Sequence, residues 1–190
     1  LEYKSSPYLL SSIVKINTKK FNIENFLYDN FWTSKKLNQK QLQKLNNFYW
    51  LFSLDLKSSN ESVQMVIKNW IEKNYKYNTK NWNFEITSKR IISWLSNTSL
   101  TYDDGGKQYQ KDFNLIIHKQ TSHLINQIDI EKRLNDKIRG TAAIILVGLS
   151  YKNDKLFTTK GLEYLKKIIR YNFDNNGFLK SRNIKSSIFF

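Results

Sequence analysis

The sequence predicts an all-α protein, and three observations carry that prediction. One proline and six glycines in 190 residues leave too little punctuation for a chain of strands and hairpins. From about residue 39 the apolar residues recur at spacings of three and four, the period of one helix face. Hydrophobic residues make up 40% of the chain and aromatics 15%, enough to build a core and too much for a disordered polymer.

The elements follow in order. Residues 1–38 read as an irregular lead-in, with Ile13–Ile16 and Phe21–Ile23 as short extended pieces. A helical domain is expected over 39–190. Leu42, Leu45, Phe48, Tyr49 and Phe52 fall on one face of a first helix. Val63, Val66, Ile67, Trp70 and Ile71 form the stripe of a second, with Asn60 as its N-cap. Ile91, Trp94 and Leu95 mark a third, capped by Thr87. Asp103-Asp104-Gly105-Gly106 is a turn. Tyr109, Phe113, Ile116, Ile117, Gln120 and Leu124 belong to a fourth helix. The fifth, about 131–151, contains the run Ala142 to Leu149 and is expected to be enclosed on every side. The sixth, about 159–173, carries Leu162, Leu165, Ile168, Ile169 and Phe173 and stops at Asp174-Asn175-Asn176-Gly177. A helical bundle and a ring of helical hairpins with inner and outer layers both suit this pattern.

Thirty-one Lys and Arg against 16 Asp and Glu give a net charge of +15. Such a field attracts nucleic acid, anionic lipid or acidic polysaccharide, although the charge is spread along the chain and is equally readable as compositional bias. With no cysteine, neither a disulfide framework nor a thiolate metal site exists. The longest apolar run, Ala142 to Leu149, is far short of the roughly 20 residues that span a bilayer. The start on Leu1 and the stop on Phe189-Phe190 make the chain readable as a fragment, truncated on its C-terminal side.

Four segments in order resemble the heparinase II/III-like family of polysaccharide lyases. Leu45-Asn46-Asn47-Phe48-Tyr49-Trp50-Leu51 is similar to that family's Phe-x-Trp-Leu run. Asn69-Trp70-Ile71, then Trp82, then Thr87 to Leu95 resemble its Trp and Thr-x-x-Arg-hydrophobic-hydrophobic-x-Trp pattern. Arg139 to Leu149 resembles its alanine-rich inner helix, and Asn175 to Asn183 its Gly-containing Ser-Arg-Asn loop. Asn176, Phe178 and Ile184 stand where relatives often carry Gly, His and Pro. The resemblance implies an incomplete α/α toroid over 39–190, followed in the whole protein by a β-sandwich domain. It also implies β-elimination at a uronic acid and a bacterial periplasmic or cell-envelope setting.

For that reaction a polar or cationic group must stabilise charge developing on the sugar carboxylate, and another group must move a proton. Arg182, whose planar fork matches a carboxylate, and Asn135, at the position of a family Asn, are the expected catalytic residues. Trp82, Arg90, Trp94, Asn176 and Asn183 are the expected substrate contacts; Trp82, between helices, is the best stacking platform. Trp70 and Trp94 sit at helical spacing and read more readily as core than as groove residues, and Arg90 is readable as a cation lying over Trp94. His118 and His123 read as packed or surface residues. No cofactor or metal is expected. The expected partners are an acidic polysaccharide and the β-sandwich domain of the same chain; nucleic acid is the less favoured one, since no helix-turn-helix or RNA-recognition signature appears. Relatives with lyase activity carry a Tyr after the Ser-Arg-Asn loop, whereas the only aromatics beyond Ser186 here are Phe189 and Phe190. A phenylalanine ring has no proton to give, which keeps a non-catalytic glycan-binding or scaffolding role as the alternative.

Overall fold

Asn38 opens the first helix by reciprocal capping: its side chain accepts from the Gln41 N–H at 2.9 Å, and the Gln41 side chain accepts from the Asn38 N–H at 2.9 Å. The computed structural model describes residue 32 and residues 38–54, 59–152 and 154–181. The described residues are helical, with no strand and one isolated bridge, Phe173 to Leu179. The helices are α1 (Gln39–Asn46), α2 (Asn60–Asn74), α3 (Phe84–Ser96), α4 (Thr98–Thr101), α5 (Lys107–Gln127), α6 (Leu134–Ser150) and α7 (Lys155–Asn172). A 3-10 turn, Tyr49–Ser53, follows α1. The expected extended pieces at 13–16 and 21–23 lie outside the described residues.

The first expected helix is broken in two. Phe48 takes a left-handed backbone, φ 59°, rare for a bulky residue, and the chain continues as the 3-10 turn. Packing offsets the strain: the Phe48 ring is fully buried, with centroids 5.1–6.1 Å from those of Trp32, Trp50, Trp70 and Trp94. Trp94 also stands edge-on to Trp70 at 5.5 Å and packs on Phe113 of α5 at 5.3 Å. This aromatic cluster is the centre of the core, and α1, α2, α3 and α5 wrap it.

Two caps differ from expectation. Ser59, not Asn60, caps α2, with its side chain accepting from the Ser62 N–H. Asn83, not Thr87, caps α3, so the helix starts four residues earlier and Thr87 lies buried at the end of its first turn. The turn at 103–106 is present, with Asp104 at φ 59°. α5 buries Phe113, Ile116, Ile117, Gln120 and Leu124, the expected stripe.

α6 is not enclosed on every side. It packs Ala143, Ile144 and Val147 into the core and sets Gly140 under the Phe84 ring of α3. Its other flank leaves Ala142 exposed and Leu149 46% exposed. α7 lies along α6 because two glycines let the backbones close: Gly148 faces the Thr158 backbone, and Gly161 lies under Ile145. α7 begins earlier than the stripe suggested, buries Gly161 and Ile168, and leaves Leu162 and Ile169 half in solvent. No helix among the described residues is long and apolar enough to cross a membrane.

Candidate functional site

Arg90 sits in the interior, one turn before Trp94 on α3, and is fully buried. Its Nη1 donates to Asn46 O (2.8 Å), its Nη2 to Asn81 O (2.9 Å) and Thr87 Oγ1 (3.3 Å), and its Nε to Gln120 Oε1 (3.1 Å). The guanidinium lies 4.0 Å from the Trp70 ring centroid, so the cation–π partner is Trp70 and not Trp94. Burial pushes the Arg90 pKa well down. Arg90 therefore ties α1, α3, α5 and the 75–83 segment together, and each of its three guanidinium nitrogens donates to an acceptor within the fold. Trp94 is fully buried, and Trp82 is 2% exposed with its Nε1 donating to Asn74 O at 3.0 Å. The expectation that these three face a sugar is thus corrected. They come together as interior residues, because large aromatics and a planar cation fill the core better than they would line a groove.

The other expected residues are scattered. Asn135 is half-buried in the first turn of α6, beside a charged cluster. There the Asp136 carboxylate receives Arg133 Nε and Arg139 Nη1, each at 2.6 Å, while Glu85 pairs with Lys89 and, at 3.4 Å, with Arg133. Burial and the nearby Glu85 charge raise the Asp136 pKa against the pull of the two arginines. Burial pushes Glu85 upward too, but Lys89, Arg133 and Arg139 outweigh it and hold the group below the usual range. Asn176 is exposed in the turn after α7, with its N–H donating to Asp174 Oδ1 at 2.9 Å. Arg182 and Asn183 lie outside the described residues.

What the sequence reading missed is the surface directly over Trp82. α2 ends at Asn74, and the segment Tyr75-Lys76-Tyr77 leaves Tyr75 41% and Tyr77 58% exposed. The Tyr77 ring contacts Trp82 (6.1 Å) and His123 of α5 (5.2 Å), and His123 contacts Trp82 (5.7 Å). Lys119, one turn earlier on α5, sits 4.0 Å from the Tyr75 centroid, and its Nζ donates to Tyr75 O at 2.9 Å. Burial lowers the His123 pKa, and Arg90 adds to this, against the opposing bond to Trp82 O. The ring is then neutral at pH 7. A carbonyl only accepts, so the 2.9 Å contact to Trp82 O fixes the proton on Nε2 and leaves the lone pair on Nδ1. The result is two exposed phenol rings, an ammonium and a hydrogen-bond-accepting imidazole on a braced support. Such a face can stack on a sugar, pair with a carboxylate or sulfate, and accept a hydroxyl proton. The legible signal was Tyr75 and Tyr77 two residues apart in the Asn- and Lys-rich stretch between helices, a type of segment where binding residues concentrate.

No family model, no curated protein and no solved structure matches this chain.

Proposed function

We propose that this chain is an acidic-glycan-binding helical unit, the α/α-toroid part of a heparinase II/III-like lyase. The observation that carries the binding reading is the Tyr75–Tyr77–Lys119–His123 face over Trp82. Stacking rings beside a cation are what a uronic-acid chain needs: an apolar support for the sugar's C–H face and a positive partner for its carboxylate. The net charge of +15 adds long-range attraction for a polyanion. Elimination, the toroid arrangement, the downstream β-sandwich domain and the roles of Arg182 and Asn135 rest on the four ordered segments of resemblance and belong to the same proposal.

The test is calorimetric binding of heparin and of a polyuronate to the 190-residue chain, with ultraviolet absorbance followed for an unsaturated product. Tyr77→Ala and Lys119→Ala are each expected to weaken glycan binding by about tenfold, since a stacked ring or a desolvated cation is worth on the order of 1 kcal/mol or more. Unchanged affinity in both variants, or a preference for mixed oligonucleotides over acidic glycans, would remove the reading. Binding without a rise in absorbance would leave the glycan-binding unit and remove elimination by this chain alone.

A further inference from the structure

The outer flank of the α6–α7 pair is apolar along one line and cationic beside it. Leu149 of α6 is 46% exposed, and Leu162 and Ile169 of α7 are 44% and 51% exposed. Leu162 and Ile169 are seven residues apart and so share one side of α7. Leu149 joins them because its neighbour Gly148 abuts Thr158, while Ile145, one turn earlier, rides on Gly161 next to Leu162. Lys155 lies seven residues before Leu162, and Lys166 lies four after it and three before Ile169, with Arg170 one turn beyond; all three are exposed. α7 carries five Lys and Arg against one acid, Glu163.

The two helices approach closely at Gly148 and Gly161, which brings their exposed side chains onto one shared flank. That flank offers a short aliphatic strip with ammonium and guanidinium groups alongside. We propose that this flank docks on an anionic phospholipid surface. The strip of Leu149, Leu162 and Ile169 enters the headgroup boundary, and Lys155, Lys166 and Arg170 meet lipid phosphates. This interfacial contact needs no spanning helix, and it uses a surface separate from the Tyr75–Tyr77 face.

The experiment is co-sedimentation of the whole chain with phosphatidylcholine vesicles, with and without phosphatidylglycerol. Binding is expected only where phosphatidylglycerol is present. Leu162→Gln with Ile169→Gln, which leaves the charge unchanged, and separately Lys166→Glu with Arg170→Glu, should each reduce it about tenfold or more. All four side chains are exposed, so circular dichroism and thermal melting should match the wild type. The aliphatic pair is decisive, because a polycation adsorbing by charge alone would be indifferent to the strip. Wild-type binding by the aliphatic double variant, or no binding of the wild type to phosphatidylglycerol vesicles, would overturn the proposal. So would loss of heparin affinity in the same aliphatic variant, which would make the strip part of a glycan surface. Failure of vesicle binding leaves the glycan reading intact, and the Tyr77→Ala result leaves the lipid proposal intact.

Discussion

Arg90 shows how one side chain can be legible as important while its role is not. A Thr-x-x-Arg-x-x-x-Trp spacing places the Arg one turn before the Trp, which sequence can see. That the Arg reaches three acceptors on three other parts of the chain depends on Asn46, Asn81 and Gln120, which only folding brings near. Arg90→Ala would leave Asn46 O, Asn81 O and Gln120 Oε1 without this donor in the interior, and would open a void against Trp70. We expect a loss of about 3–5 kcal/mol in urea unfolding, comparable to breaking a buried charged network. Arg90→Lys should recover little of it, since an ammonium cannot address three directions in one plane; a loss under about 1 kcal/mol would contradict this account. His123 gives a second residue-scale prediction. Its folded pKa is below the ordinary 6.5, so below pH 6.5 the unfolded chain binds the proton first and stability falls with acid until the folded ring also protonates. His123→Gln keeps a donor for Trp82 O and does not titrate. Its unfolding free energy, measured from pH 7 to pH 5, should therefore decline less steeply than that of the wild type.

At the scale of the element, helix existence was readable and helix surroundings were not. The stripes at 63–71 and 113–124 are buried as their spacing implies, because a 3.6-residue period has only one way to face a core. The helix expected through 39–52 failed at Phe48, where four tryptophan rings outweigh the preference of a Phe for negative φ. α6 was expected to be enclosed because it is apolar all round, yet a periodicity states what a helix could bury and not which neighbours are there to bury it. The α6–α7 contact itself was hidden in two glycines, whose value lies in the missing Cβ. Gly148→Ala replaces the poorer helix former with the best one, worth about 1 kcal/mol in an open helix. Here the added methyl would meet the Thr158 backbone, which cannot rotate aside. We expect net destabilisation by about 1–3 kcal/mol, as for overpacking elsewhere, read from the thermal midpoint. A more stable Gly148→Ala protein would mean that the helices separate at little cost.

For the whole molecule the open question is whether +15 is a tool or a composition. Bulk charge and a stacking face make different demands on salt. Attraction from dispersed lysines acts over a Debye length, about 10 Å at 0.1 M and about 3 Å at 1 M, so it fades as salt rises. Ring contacts at Tyr75 and Tyr77 involve little charge and fade much less. Sequence could supply the first term, since it is a count, but not the second, because spacing marks Trp82 as a platform and folding makes it the support beneath Tyr77 and His123. The two terms separate in one titration. Heparin affinity of the wild type should fall steeply with added salt, while the ratio of wild-type to Tyr77→Ala affinity should hold at about tenfold throughout. Lys119→Ala should behave differently, with its deficit shrinking as salt rises, because that contact is ionic. A Tyr77→Ala ratio that collapses to one in high salt would mean that the glycan feels only the field of the lysines. The +15 would then act without a site, and the Tyr75–Tyr77 face would be a surface accident of the loop between α2 and α3.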